Sequence, residues 1–206
     1  MTELPMAIPL KIPSNKADLL AQARQSRGRP INVRTDGFHL RTMRSRDGTQ
    51  QLISWLQDDD VLRGLNIPRR EWTLDQIKTF ITSYDCVKRH LVGIFERRNE
   101  ALIGFYTLDV NLTHKSAQIT AAVCDRSFVG RNVLRETARP FIIHLFETRD
   151  IEKVSARVLA SNKRIIFNFI IPDLFVYEAK LRQEVIVKDG RREDLLIFAC
   201  HKSPSS

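Results

Sequence analysis

The period of the apolar positions changes along this chain, and each change marks an element. FHLRTM, residues 38 to 43, reads as a first strand. RDGTQQLISWLQDDDVLRGL follows as helix, with Leu52, Ile53, Leu56 and Val61 on one stripe. A second helix opens at Thr73, where Thr73 and Gln76 have capping-box spacing, and carries Leu74, Ile77, Phe80, Ile81 and Tyr84 at helical steps. Three short apolar runs come next: HLVGIFER (90–97), ALIGFYTLDV (101–110) and SAQITAAVC (116–124). Their short links predict an antiparallel meander. VLRETARPFIIHLFET then reads as a helix that Pro140 should kink, because proline removes a backbone bond. VSARVL (154–159) is a strand, and NKRIIFNFIIP a short apolar helix stopped by Pro172. FVYEAKLRQEVIV and REDLLIFACHK flank KDGR, whose Asp189-Gly190 pair is the strongest turn signal in the chain, so they predict a hairpin. The order implies an α+β fold: a largely antiparallel sheet with helices packed on it.

Ahead of this body, residues 1–37 read as an extension. MAIPLKIPS is broken by prolines, KADLLAQARQSR (16–27) predicts a short helix, and GRP ends it. The expected division is therefore a basic N-terminal extension, 1–37, and one domain, 38–206. The net charge is +9, and +6 of it lies in the first 46 residues, where nine Lys or Arg face three acids. Such an arm suits an acidic or nucleic-acid partner, or stands as a solvated tail. It lacks the interleaved aromatics that stack bases. No apolar run is long enough to span a membrane and no secretory core opens the chain, so the expectation is a cytoplasmic protein without a membrane partner. Cys86, Cys124 and Cys200 are far apart and the five histidines have no ligand spacing, which argues against a structural metal. Cys124 and Cys200 lie in apolar runs and read as buried thiols.

The stretch RSFVGRNVLRET, 126 to 137, raises the chemical question. A glycine and an arginine follow an apolar strand and open a helix, the place where exposed N–H groups hold a phosphate. The plainer reading is a turn with a solvated Arg131.

The order and lengths of these elements resemble the GNAT acetyltransferase superfamily, most closely its RimJ/RimL-like group, over roughly residues 38–200. FVYEAKLR (175–182), KDGRREDLLIF, ALIGFYTL and Asn162 after VSARVL carry the resemblance. It implies a GNAT-like mixed, largely antiparallel sheet flanked by helices. It also implies acetyl-CoA as co-substrate, an amine acceptor on a protein or small molecule, and direct acyl transfer. In that fold two strands splay apart, the pantetheine lies between them, and the pyrophosphate meets the N-terminus of the next helix. The implied cofactor contacts are Val123, Cys124, Val129, Gly130, Arg131, Asn132, Val133, Leu134 and Asn162. Asn162 and Tyr177 are the implied catalytic candidates. A homodimer through sheet edges is a further expectation of the group.

The family's phosphate loop, laid on Val129 to Leu134, puts Asn132 where a glycine is usual and Leu134 where a small residue is usual. Asn is the side chain that best tolerates left-handed backbone, and Leu134 is expected to turn into the core. Gln118 replaces an acidic residue near the start of the central strand. Ile165 replaces a serine, and Leu174 replaces a glycine. Bland readings stand beside these roles. Asn162 suits a helix N-cap, Tyr177 a strand aromatic, and Glu178 an ion pair with Lys180 or Arg182. His144 reads as a surface or satisfied histidine, and Trp55 and Trp72 as packing side chains. Three functions follow: an acetyl-CoA-dependent N-acetyltransferase, a catalytically inactive GNAT-fold binding or structural module using a basic surface, and a nucleic-acid binder by charge.

Overall fold

The computed structural model describes residues 28–170 and 174–203. The helix expected over 16–27 and the stop at Pro172 lie outside them. Eight strands form one sheet: β1 Asn32–Arg34, β2 Phe38–Thr42, β3 Arg89–Glu96, β4 Leu102–Asn111, β5 Ser116–Val123, β6 Lys153–Leu159, β7 Val176–Ile186 and β8 Arg192–His201. Their spatial order is β1-β2-β3-β4-β5-β6-β8-β7. Every neighbouring pair is antiparallel except β5 with β6. The helices are α1 Gln50–Trp55, α2 Asp59–Leu65, α3 Leu74–Thr82, α4 Val133–Thr148 and α5 Lys163–Ile170.

The meander β3-β4-β5 and the hairpin β7-β8 form as their alternation predicts, and Gly190 takes the positive φ of +82° that the hairpin turn needs. The capping box of α3 closes reciprocally, Gln76 N–H on the Thr73 hydroxyl at 3.2 Å and Thr73 N–H on the Gln76 side chain at 3.0 Å. α4 runs through Pro140 as a single helix.

Two features depart from expectation. The long helix expected over residues 46–65 is two short ones. Asp58 ends the first register by capping the second, accepting from Asp60 N–H at 2.9 Å and Val61 N–H at 3.2 Å. The sheet also starts before Phe38. Asn32–Arg34 pair with His39–Arg41, and Ile31 is buried in the core. Residues 28–37 share the basic composition of the extension, yet two apolar side chains, Ile31 and Val33, dock them on the body.

The core has two compartments. α4 covers one, where Phe141, Ile142 and Leu145 are fully buried with Leu40, Ile94, Ile103 and Val154 from the strands. α1 and α3 cover the other through Leu52, Ile53, Ile77 and Ile81, with Trp55 and Trp72 half-buried against it, so both tryptophans pack. All three cysteines are buried and none is in a disulfide. Among the described residues no helix is long and apolar enough to cross a membrane.

Candidate active site

The parallel pair β5-β6 is hydrogen-bonded only from Ser116↔Lys153 to Ile119↔Ala156. Beyond that point β5 stays with β4 as far as Val123↔Gly104, and β6 stays with β8 as far as Leu159↔Leu195. The two strands therefore part into a V. Cys124 N–H is spent on Ile103 O of β4 at 2.9 Å. By strand alternation the backbone groups of Ala121 and Val123 face the other way, into the open V.

The loop after β5 leads from the V to the start of α4. Gly130 has φ +84° and Asn132 φ +58°, so Asn132 takes the left-handed conformation for which Asn is the best substitute for glycine. Asn132 is the N-cap of α4 with no side-chain cap bond. The first N–H groups of the helix thus stay open, with the positive end of its dipole behind them. Val133 and Leu134 are buried in the core, so only their backbones face the loop surface. Arg131 is exposed, its guanidinium 5.4 Å from the Phe128 ring.

Glu136 fixes this helix start, a role the sequence reading passed over. Its carboxylate accepts from the Thr35 hydroxyl at 2.6 Å and from Gly37 N–H at 2.7 Å, tying the β1-β2 turn to α4. An acid in the first helical turn just after a phosphate-type loop was the available signal. At the next residue, Thr137 and Tyr106 share a buried hydrogen bond of 2.7 Å between their hydroxyls.

The far wall of the V is β6 and the turn into α5. Asn162 Oδ1 accepts from Ile165 N–H at 3.3 Å, the expected N-cap, and Nδ2 donates to Gly64 O at 3.4 Å. Asn162 therefore links α5 to α2. The N-terminus of α2 is held by Arg126–Asp58 at 2.9 Å and Lys188–Asp59 at 2.9 Å, reaching the loop after β5 and the β7-β8 turn. The V is thus bridged by α2 on one side. Asp58 is held below the usual carboxylate range by the N–H groups of Val61 and Asp60 and by Arg126. Burial, with Asp58 and Asp125 nearby, pushes the Cys124 thiol up to about 12. A thiol that far from ionising is no nucleophile at neutral pH.

Other sequence candidates fall elsewhere. Tyr177 lies on β7, the outer strand, with β8 between it and β6, and its ring packs edge-on against Phe198 at 5.7 Å. Glu178 does not pair with Lys180 or Arg182. It sits at the register shift between Tyr177 and Ala179 and reaches across β8 to Lys153 at 2.8 Å and His201 at 3.0 Å. Lys180 pairs instead with Asp194. Gln118 lies on β5 within the paired part, opposite Ser155, and Ile165 and Leu174 pack against the core. His144 is half-buried with Nε2 unpartnered.

A model of the acetyltransferase (GNAT) domain matches residues 38–166. The chain belongs to the GNAT acetyltransferase family. The family uses acetyl-CoA, and the open edge of β5 with the uncapped start of α4 is the kind of surface that an acyl-CoA requires. Among solved structures, RimL, the ribosomal L7/L12 α-N-protein acetyltransferase in complex with coenzyme A, aligns at TM-score 0.73 and 14% identity over 83% of this chain and 98% of its own. A ribosomal-protein-S5-alanine acetyltransferase from Vibrio fischeri aligns at 0.73 and 12% identity, over 85% of this chain and 99% of that one. Spermidine N-acetyltransferase from Vibrio cholerae, in complex with CoA and spermine, aligns at 0.71 and 16% identity, over 80% and 95%. These likenesses show the GNAT fold. No curated protein matches the chain at a significant level.

Proposed function

We propose that this GNAT chain transfers the acetyl group of acetyl-CoA to a primary amine, on a protein N-terminus or a small molecule, in the cytoplasm. The observation that carries the reading is the V between β5 and β6, which opens beside the uncapped N-terminus of α4. In this reading the backbone groups of Ala121 and Val123 take up the pantetheine arm as a strand would. The pyrophosphate rests on the free N–H groups at Asn132, Val133 and Leu134, with Gly130 and Arg131 alongside. Leu134 costs nothing there, because its side chain is in the core. The amine nitrogen, once neutral, attacks the thioester carbonyl. The C–N bond forms and the C–S bond breaks; one ammonium proton has gone to solvent before attack, and the nitrogen gives up its second proton as the thiolate takes one up. Backbone N–H donors on the open edge of β5 stabilise the charge on the carbonyl oxygen. Cys124, a buried thiol, is not assigned as an acyl acceptor, and the reading is direct transfer. Asn162, both ends of its amide engaged, holds the rim of the cleft. Tyr177, one strand beyond β8, is assigned to packing.

A second reading, a GNAT-fold module that binds but does not transfer, is favoured by Gln118 where a carboxylate is usual and by Ile165 where a hydroxyl is usual. One experiment separates the two: calorimetric titration with acetyl-CoA, followed by thiol release with a panel of peptide N-termini and polyamines. Micromolar binding with amine-dependent release supports transfer. Binding without release from any amine leaves the module reading, and no binding near millimolar ends both cofactor readings.

A further inference from the structure

We propose that Lys188, in the β7-β8 turn, is an acetyl acceptor within the chain itself, modified on its side-chain nitrogen by the acyl-CoA held in the V. This rests on the acetyl-transfer reading above and adds an acceptor that belongs to the protein.

The topology sets this amine at the open end of the V. β6 pairs with β8 from Lys153↔His201 to Leu159↔Leu195, and β5 joins β6 only at the Lys153 end. The turn that leads into β8 therefore lies toward Leu159, where β5 and β6 have parted. Side-chain contacts carry Lys188 closer. Its Nζ donates to Asp59 Oδ1 at 2.9 Å. Asp59 is the first residue of α2, and α2 lies against β5. The adjacent Asp58 is joined to Arg126 of the loop after β5 at 2.9 Å and has Cys124, directly after Val123, nearby. The ammonium is thus fastened one residue from a carboxylate that borders the end of β5. That open edge is where the transfer reading sets the thioester carbonyl.

The ion pair is one that opens readily. Its side chains are 76% and 60% exposed, so water competes for both. Asp59 keeps a cation when Lys188 leaves, because Arg69 donates to the same oxygen at 3.0 Å. Other amines are placed differently. Lys115 and Lys153 sit at the closed end of the V, paired with Asp150, Glu152 and Glu178. Lys163, exposed at the start of α5, is a rival amine on the open rim.

The step balances. One Lys188 ammonium proton passes to water, and the neutral nitrogen attacks the thioester carbonyl. The C–N bond forms and the C–S bond breaks. The nitrogen gives up its second proton as the thiolate takes one up, leaving an amide on Lys188 and free CoA. The amide has no charge for Asp59. α2 then loses its tie to the hairpin turn and keeps those to Arg126 and Asn162.

The test is incubation of the full chain with acetyl-CoA and no added amine, read by site-resolved mass spectrometry and by CoA release, beside the amine panel. Acetyl on Lys188 is expected to build up about tenfold faster than on Lys115, Lys153 or Lys163, the advantage of an amine held beside the thioester. The first-order rate should not change as the protein is diluted, because donor and acceptor share one molecule. Unfolding in urea should erase the selectivity. Lys188→Arg, which keeps a cation for Asp59, should lose the amine-independent CoA release. Selectivity that survives in urea, faster acetylation of Lys163, a rate that scales with protein concentration, or CoA release that persists in Lys188→Arg overturns the inference. So does a chain that acetylates external amines and leaves Lys188 bare, with the transfer reading intact. Absence of transfer both to Lys188 and to the panel removes the reading and the inference together.

Discussion

Asn132 is the residue on which the loop turns. At φ +58° a β-branched side chain is strained, whereas glycine is at ease. Asn132→Gly is expected to tighten acetyl-CoA binding by a few-fold, by letting the phosphate approach the backbone more closely. Asn132→Val should weaken it by about tenfold, at a strain cost on the order of 1–2 kcal/mol. Calorimetry on the two variants reads both effects; no change in either direction would mean that this backbone does not touch the cofactor. Leu134, two residues on, serves the core. Its truncation to Ala leaves a hole against the sheet, and a stability loss of about 2–5 kcal/mol is expected by urea unfolding. If Leu134→Ala instead lowers affinity with stability unchanged, its side chain faces the ligand.

At the scale of elements, one ion pair ties β2 to the turn that leads into α1. Arg41 of β2 forms two parallel bonds of 2.8 Å with Asp47 in the short 3-10 turn before α1, and its guanidinium lies 3.7 Å over the Phe95 ring. Burial pulls the Asp47 carboxyl up, but Arg41 and the Arg44 N–H outweigh it and hold the carboxyl below its ordinary value of 3.8. The pair therefore contributes its full stability above about pH 4 and loses it as pH falls through the depressed value. Asp47→Ala leaves a largely buried guanidinium with only Glu100, 3.7 Å away, as its acid, and should cost about 1–3 kcal/mol at pH 7. Denaturant midpoints at pH 7 and pH 3 should show the wild-type advantage shrinking at the lower pH.

Most of these elements were readable from the chain because their local signals agree with their packing. α4 begins and ends where its pattern does, and the Thr73 box and the Asp189-Gly190 turn form as spelled. What was not readable came from side chains answering distant partners. The break at Leu56–Asp58 depends on Asp58 choosing a cap and Arg126. β1 depends on three backbone pairs with β2, and Glu178 depends on a register shift that brings it to Lys153. The candidate loop was legible as a backbone conformation at Asn132 but silent about Glu136, whose partners lie about a hundred residues earlier.

Over the whole molecule, the pole opposite the V holds the unsatisfied polar groups. The buried atoms without a partner among the described residues are His90 Nδ1, His144 Nε2 and Arg149 Nε. Burial and the charge of Arg149 push the His90 imidazole below its ordinary 6.5, and His144 moves the same way for the same reasons. The Val87 carbonyl and then Asp85 pull His90, and Glu147 pulls His144, in the other direction, and are outweighed. The unfolded chain thus takes up protons that the fold refuses. Stability is expected to fall as pH drops below 6.5, at up to about 1.4 kcal/mol per unit for each histidine until its folded value is reached. His90→Leu should flatten that slope between pH 7.5 and 5.5 in chemical denaturation; an unaltered slope would place the proton uptake elsewhere.

The parting of β5 from β6 also makes this an unfinished sheet, and an unfinished sheet keeps time differently from a closed one. The amides of Ala121 and Val123 lie in the middle of the molecule, yet among the described residues they have no bonding partner across the gap. Their hydrogens should trade with heavy water far faster than those of Thr120 and Ala122, whose bonds go to β4. When an extended ligand is seated in the gap, that odd–even pattern should vanish: the two fast sites slow to the pace of their neighbours, and an amide-exchange record residue by residue shows where the ligand backbone lies.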